Sequence, residues 1–142
     1  MMASWGSCDF RDFRAMSERF RAAADRLAYD RFLRETVLEL GNMLLGGVKE
    51  RTPVDTGALR RTWFLSGVRQ RGDVYEVELY NNTEYAPWVE NGHRIVRSGG
   101  TVGWCEGFFM LRLSVLELER VAPEVLGART EAFLRALMEG GR

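Results

Sequence analysis

The residues TPVDTGALRR, from Thr52 to Arg61, lie between a helix-like part and a strand-like part of the chain. Proline removes a backbone donor and disfavours helical geometry at the residue before it, so a helix should end at Thr52. A side-chain oxygen of Asp55 or Thr56 can cap the next turn, while Gly57 permits a left-handed backbone angle. We therefore predict a shaped corner formed by Pro53, Asp55, Thr56, Gly57 and Leu59, with Leu59 anchored in the core.

Two helices are predicted before this corner. From about Asp30 to Arg51, apolar residues recur at three- and four-residue steps, which is the period of an amphipathic helix. Gly41, Gly46 and Gly47 weaken this helix. Either they let another backbone come close, or the helix frays at its last turn. A similar pattern from Asp9 to Leu27 predicts an N-terminal helix within residues 1–28, packed or mobile.

A hairpin is predicted after the corner. Trp63 to Val68 and Val74 to Tyr80 are β-branched and aromatic runs joined by a polar turn at Gly72-Asp73. In the second run, Tyr75, Val77 and Leu79 fall on one face, and glutamates fall on the other. The sheet should therefore have one face in water.

The remaining residues predict a mobile segment and a last helix. Tyr85 to Asn91 should form a loop or a short helical turn. His93 to Gly103 is rich in glycine and polar residues, and its stretch from Ser98 to Thr101 has little to bury, so we expect that stretch to be mobile or shaped by a partner. From Gly107 a helix should run to about Met138, broken or bent at Pro123 and Gly127.

The composition fits one soluble domain. The 142 residues are 46% hydrophobic, and the 20 acidic and 20 basic side chains give a net charge of zero. A neutral chain has no long-range field that would draw it onto DNA or anionic lipid. We predict an α+β fold of long helices packed on a small antiparallel β-sheet. Its single domain spans residues 1–142, with a core at 30–120 and a C-terminal helix at 121–142.

Candidate reactive groups are few. Cys8 and Cys105 are far apart and lack the spacing of a zinc site, and His93 is the only histidine. A pairing of Cys105 with His93, with Glu90 nearby, could in principle activate a thiolate. A hydrogen bond that fixes the loop is the alternative for His93 that we favour. We therefore expect no enzyme activity, no cofactor and no metal. No apolar run is long enough to span a bilayer, so synthesis and assembly in the cytoplasm are expected.

Charged and aromatic residues offer candidate interfaces. Four arginines flank the first strand, and a stretch with four glutamates follows it. They can pair across the hairpin, or they can form complementary edges between copies in a head-to-tail ring. Trp88 and Trp104, in polar or glycine-rich surroundings, are candidate interface anchors. The full set of interface candidates is Arg60, Arg61, Arg69, Arg71, Glu76, Glu78, Trp88, Glu90 and Trp104, with Glu84 as the fourth glutamate.

Three short blocks together resemble a family of tailed-phage proteins. They are TPVDTGALRRTW, YNNTEYAPWVENGHR and GWCEGFFML, and they extend over about Leu40 to Leu116. The sequence keeps the corner pattern, the turn Tyr85-Ala86-Pro87 and the pair Gly92-His93. It departs in Trp88 and Asn91, where tyrosine is frequent, and in Cys105 and Phe108. These departures leave the resemblance intact and put exact partner contacts in doubt.

The resemblance implies a structural protein of the phage neck, at the junction of head and tail. Such a protein would form a homo-oligomeric ring in the virion, although isolated subunits can stay monomeric. The implied partners are the head-closure or connector protein and the tail terminator or tail tube protein. DNA would be passing cargo, and no membrane would be involved.

Three alternatives stay open at this point. The chain could be a tail terminator that caps the tail tube, because that task also requires flat, repeating interfaces. It could be a maturation nuclease or peptidase, which would need clustered carboxylates or a nucleophile with a base in reach. It could also be a host-derived adaptor that binds a peptide along the edge of its sheet.

Overall fold

The computed structural model describes residues 26–55 and 57–140. The predicted N-terminal helix lies outside the described residues as far as Asp25, and Thr56 is also outside them. The helices are α1 (Arg26–Arg51), α2 (Ala58–Arg61), α3 (Ala86–Asn91) and α4 (Met110–Gly140). The strands are β1 (Trp63–Leu65), β2 (Arg69–Arg71), β3 (Val74–Glu76), β4 (Leu79–Asn81), β5 (Gly92–Arg97) and β6 (Gly100–Glu106).

The two long helices, α1 and α4, pack against each other in opposite directions. Arg51 at the end of α1 pairs with Glu117 near the start of α4, and Phe32 near the start of α1 stacks on Phe133 with 4.4 Å between ring centroids. Between these contacts four residues bury a shared apolar seam. They are Leu40, Leu118, Ala122 and Leu126.

The predicted break in the last helix is wrong, because α4 continues through Pro123 and Gly127. A proline inside a helix costs on the order of 3 kcal/mol. Ala122 and Leu126, on either side of it, are buried against α1, and this packing offsets the cost. Pro123 itself is exposed.

The helix before the corner is predicted correctly, and it is already helical at Arg26, the first described residue, ahead of the predicted start at Asp30. At Gly41 the close neighbours are side chains, and not the backbone that was predicted to come close. A Cβ there would lie 2.8 Å from Val77 Cγ2 and 3.1 Å from Leu65 Cδ1. The absence of a side chain therefore lets the strands pack directly on α1, whereas a Cβ at Gly46 would meet nothing.

The predicted hairpin is present as two short ladders. Strand β1 pairs with β4, and β2 pairs with β3, both antiparallel, with the turn at Gly72. Ser66 joins the ladders, because its N–H donates to Glu78 O and its Oγ accepts from Glu78 N, both at 2.8 Å. We call the unit from β1 to β4 the packed hairpin. Its inner face lies on α1, so the predicted separation of faces is confirmed.

The glycine-rich segment forms a second hairpin, which its composition did not predict. Strands β5 and β6 pair from Gly92↔Glu106 to Arg97↔Gly100. The turn residues Ser98 and Gly99 have φ of 52° and 78°, and two positive φ values match the type I′ turn of tight hairpins. We call residues 92–106 the arm. The fold class is confirmed as α+β, with long helices and small antiparallel sheets.

Candidate functional site

The arm extends away from the rest of the molecule. Every residue from His93 to Trp104 is exposed, so neither face of the ribbon is covered. The exposed fraction reaches 60% at both Val96 and Val102 and 57% at Trp104. An isolated two-stranded hairpin is marginally stable in water, and an exposed apolar patch marks an interaction site. The arm is therefore the strongest candidate for a contact surface in the described part of the chain.

The base of the arm is held firmly. Phe108 N–H donates to Val89 O at 2.8 Å, and Phe109 N–H donates to Glu90 O at 3.0 Å. Gly92, at φ 84°, faces Gly107 so closely that a Cβ on Gly92 would lie 2.9 Å from the Gly107 nitrogen. The resemblance picked out Gly92, and the structure supplies the physical reason for a glycine there.

Glu90 caps the last helix from a distance. Its Oε2 accepts from Leu111 N–H and its Oε1 from Arg112 N–H, both at 2.9 Å, at the start of α4. A carboxylate at a helix N-terminus satisfies free N–H groups and interacts favourably with the helix dipole. Glu90 is only 3% exposed, so its placement corrects its inclusion among the exposed interface candidates. No local pattern indicated this cap, because 20 residues separate Glu90 from the start of α4.

The charged interface candidates of the packed hairpin are paired within the subunit. Arg69 Nη2 lies 2.8 Å from Glu78 Oε2, and Arg71 Nε lies 3.2 Å from Glu76 Oε1. Pairing across the hairpin therefore describes these four residues better than the alternative in which they form complementary edges between copies in a ring. Arg60 and Arg61 are exposed at α2, and Glu84 is exposed before α3.

Trp88 and Trp104, the candidate interface anchors, are both exposed. Trp88 lies on α3, and its ring centroid is 6.3 Å from that of His93 at the base of the arm. Phe108, which follows the arm, is also exposed. Aromatic side chains thus lie on the arm and beside its base, which is the distribution expected of interface anchors.

The corner between α1 and the packed hairpin is closed by a buried threonine. Thr52 Oγ1 donates to Val48 O at 2.5 Å and accepts from Trp63 Nε1 at 2.9 Å. Gly57 has the predicted left-handed angle, with φ 79°, and Leu59 is buried in the core as predicted. Asp55 is exposed, and the N-cap of α2 is Gly57, which offers no side-chain oxygen. Thr52 itself was not among the predicted corner residues.

The turn around Tyr85 and Pro87, which belongs to the second block of the resemblance, begins α3. The Tyr85 carbonyl accepts from Trp88 N–H at 3.0 Å and from Val89 N–H at 3.1 Å. Proline is favoured in the first turn of a helix, where its missing N–H costs nothing. Ala86, between them, is buried in the same cluster as Trp63, Leu59 and Met110. This cluster places α3, and with it the base of the arm, against α4.

Of the three groups in the catalytic alternative, the structure places two side by side and the third elsewhere. His93 and Cys105 are cross-strand partners on the arm. Glu90, their candidate carboxylate neighbour, is occupied by the start of α4. Across residues 26–55 and 57–140, no group of three or more His, Cys, Asp and Glu side chains could hold a metal ion. Among the helices of that same part of the chain, none is long and apolar enough to cross a membrane.

A polar cluster fixes the packed hairpin to α1. Tyr75 Oη donates to Asp30 Oδ1 at 2.8 Å, and Arg34 Nε donates to Asp30 Oδ2 at 2.9 Å. The hydrogen bond from Tyr75, then the bond from Arg34, lower the pKa of Asp30. Burial, then the bond to Asp30, raises the pKa of Tyr75 to about 12. The sequence offered no signal for this contact, because 45 residues separate Tyr75 from Asp30.

Comparison with known proteins identifies one family. The family described as "Bacteriophage HK97-gp10, putative tail-component" matches residues 14–92, more than half of the chain. The matched residues include α1, the packed hairpin and α3, and they end where the arm begins. The searches of curated proteins and of solved structures each returned no match. The chain therefore belongs to the bacteriophage HK97-gp10 tail-component family.

Proposed function

We propose that this tail component is a neck subunit that forms a ring at the junction of head and tail. The ring joins the connector, or head-closure protein, to the tail terminator or tail tube, and DNA passes through its centre. The protein acts in the virion after assembly in the host cytoplasm. Its work is to hold other proteins together, and it needs no cofactor for that.

The exposed arm is the observation that carries this proposal. Its apolar side chains, above all Val96, Val102 and Trp104, are not covered by the chain that carries them. Fully burying one such side chain contributes on the order of 1.5–3 kcal/mol. Contact with other subunits would therefore stabilise the arm, and a ring offers each arm the same neighbouring surface.

The base of the arm supports the same function. Glu90, Gly92 and Gly107 connect the arm directly to α3 and α4, so a load on the arm would be transmitted to the helices. Rigid connection suits a joint that must keep head and tail together. The net charge of zero is compatible with a conduit, because a strongly basic lining would hold the DNA that must slide through it.

Deletion of this gene from its phage or prophage tests the proposal. Lysates of the deletion strain should contain DNA-filled heads and separate tails of normal length, and a plasmid copy should restore joined particles. Electron microscopy and plaque titre provide the measurements. Firmly joined, infectious particles in the deletion strain would contradict the proposal. Tails of uncontrolled length would instead indicate a terminator, because a terminator stops tail growth.

A further inference from the structure

A cleft between α1 and α4 lies at the end of the helix pair away from the arm. Its volume is about 1090 Å³, larger than most small-molecule pockets. The floor is apolar, formed by Phe32, Val125, Phe133 and Leu137. Ala132 lines it too and is exposed. A wide apolar cleft of this kind suits a polypeptide segment better than a small ligand.

The cleft and the arm are complementary in chemistry. The cleft is lined by Glu35, Glu39 and Glu124 and by Arg31 and Arg129, a net charge of −1. Arg129 already contacts Glu39 and lies 3.8 Å from Glu35. The cleft thus has one more carboxylate than its own arginines can neutralise, and arginines on a segment bound there would interact favourably with it.

The arm supplies such a segment. It carries Arg94 and Arg97, and its one carboxylate, Glu106, lies at its base. The same ribbon exposes Val96 and Val102, which can cover the apolar floor of a cleft. Because these side chains are exposed, they do not fill the cleft of their own subunit.

The positions of the two surfaces suit a head-to-tail contact. The arm joins α4 just before Met110, whereas the cleft begins at Glu124, 14 residues further on, which is roughly 21 Å along a helix. Two different, complementary surfaces on one subunit generate rings or filaments, while a self-complementary surface generates closed dimers.

We propose that the arm of one copy packs into the α1/α4 cleft of the next copy, and that this contact joins the subunits of the ring. The inference rests on the proposed function, because it supplies the contact through which the ring closes.

Cysteine cross-linking in assembled virions tests this contact. A deletion phage is complemented with a chain in which Cys8 and Cys105 are changed to serine and which carries Val96→Cys and Ala132→Cys. The matched control carries Val96→Cys and Glu131→Cys, because Glu131 is exposed and adjacent to Ala132 but does not line the cleft. Each single-cysteine chain is also prepared. After mild oxidation, non-reducing gels are probed for the chain.

The proposal expects a ladder at multiples of 16.2 kDa for the Val96→Cys and Ala132→Cys pair, and a ladder at least tenfold weaker for the control. A chain that is present in virions but forms no ladder would overturn the contact and leave the neck function standing. Equal ladders for pair and control would also overturn it. Dimers from Val96→Cys alone would show pairing between arms instead.

One more cross-linking variant tests whether the N-terminal residues of the same chain occupy the cleft. Ala132→Cys is combined with the native Cys8, and only Cys105 is changed to serine. A fast-migrating oxidised monomer would show that the N-terminal residues of the same chain occupy the cleft, and it would overturn the proposal. A chain absent from purified virions would defeat the proposed function itself, and the inference with it.

Discussion

The packed hairpin and the arm are both antiparallel ribbons with tight turns, but they differ in what covers them. The packed hairpin lays one face on α1, where Gly41 admits Val77 and Leu65, and Tyr75 bonds to Asp30. Within residues 26–55 and 57–140 the arm is attached at its base, and its apolar residues remain exposed. The first ribbon is thus stabilised by contacts with α1, whereas the apolar side chains of the second gain no such cover from the described residues.

The largest difference in stability between the packed hairpin and the arm is expected when one tryptophan in each is replaced. Trp63 is 3% exposed and donates to Thr52, whereas Trp104 on the arm is 57% exposed. Trp63→Ala should lower the free energy of unfolding by about 3–5 kcal/mol, because it leaves a cavity in the core. Trp104→Ala should change it by no more than about 0.5 kcal/mol. Urea unfolding followed by circular dichroism measures both, and similar losses would erase the distinction.

Removal of the Glu90 cap should have the next largest effect. Glu90→Ala leaves two N–H groups at the start of α4 without their acceptor, so the free energy of unfolding should fall by about 2 kcal/mol. Glu90→Gln should lose less, because the amide oxygen still accepts one bond. Glu119→Ala, at an exposed position of the same helix, is the matched control. A loss from Glu90→Ala no larger than that of the control would refute the capping role.

The glycines of α1 should respond with opposite signs. Gly41→Ala pushes a methyl group against Val77, and overpacking costs about 1–3 kcal/mol, while the gain in helix propensity returns about 1 kcal/mol. Gly46→Ala meets open space and should stabilise by about 1 kcal/mol. Thermal unfolding of the two variants compares them directly. If both were stabilising, the close approach of the packed hairpin to α1 would be disproved.

The smallest effect on stability is expected from the hydrogen bond between Tyr75 and Asp30 on α1, and this effect depends on pH. The pKa of Tyr75 is raised from about 10 to about 12 in the folded chain. Its contribution is therefore fully present below pH 10 and is lost as pH rises through 12, because the unfolded tyrosine releases its proton first. Tyr75→Phe should remove the late step in an ultraviolet titration of the tyrosines and flatten the stability change over pH 10–12. A late step that persists would assign the high pKa to another tyrosine.

Sequence patterns predicted the parts of the fold that depend on neighbouring residues. Pro53 and Gly57 marked the corner, and the alternation at Tyr75, Val77 and Leu79 gave the inner face of the packed hairpin. Long-range contacts gave no local signal, which is why Thr52 with Trp63, Asp30 with Tyr75, and the Glu90 cap were missed. Packing against α1 was missed in the same way: Pro123 does not end α4, because its neighbours Ala122 and Leu126 are buried there.

The arm was missed for a different reason. Its glycines suggested a mobile loop, but Ser98-Gly99 between two β-branched runs is itself the signature of a tight hairpin turn. Among the candidate interface residues, Trp88 and Trp104 are exposed, because large aromatics in polar surroundings have little to pack against, and their role as interface anchors stays a prediction. For the arginines and glutamates of the packed hairpin, the sequence left pairing within the hairpin and pairing between copies both open. Which residues pair depends on the register of the strands, and that register is known only from the structure.

The most direct test of the central claim compares stability with assembly for one arm variant. Val96→Asp combined with Val102→Asp replaces the two most exposed aliphatic side chains of the arm with carboxylates and leaves its base unchanged. We predict an unfolding free energy within about 0.5 kcal/mol of the wild-type value. In complementation of the deletion phage, we predict separate heads and tails. A stable variant that restores the wild-type plaque titre would contradict the account.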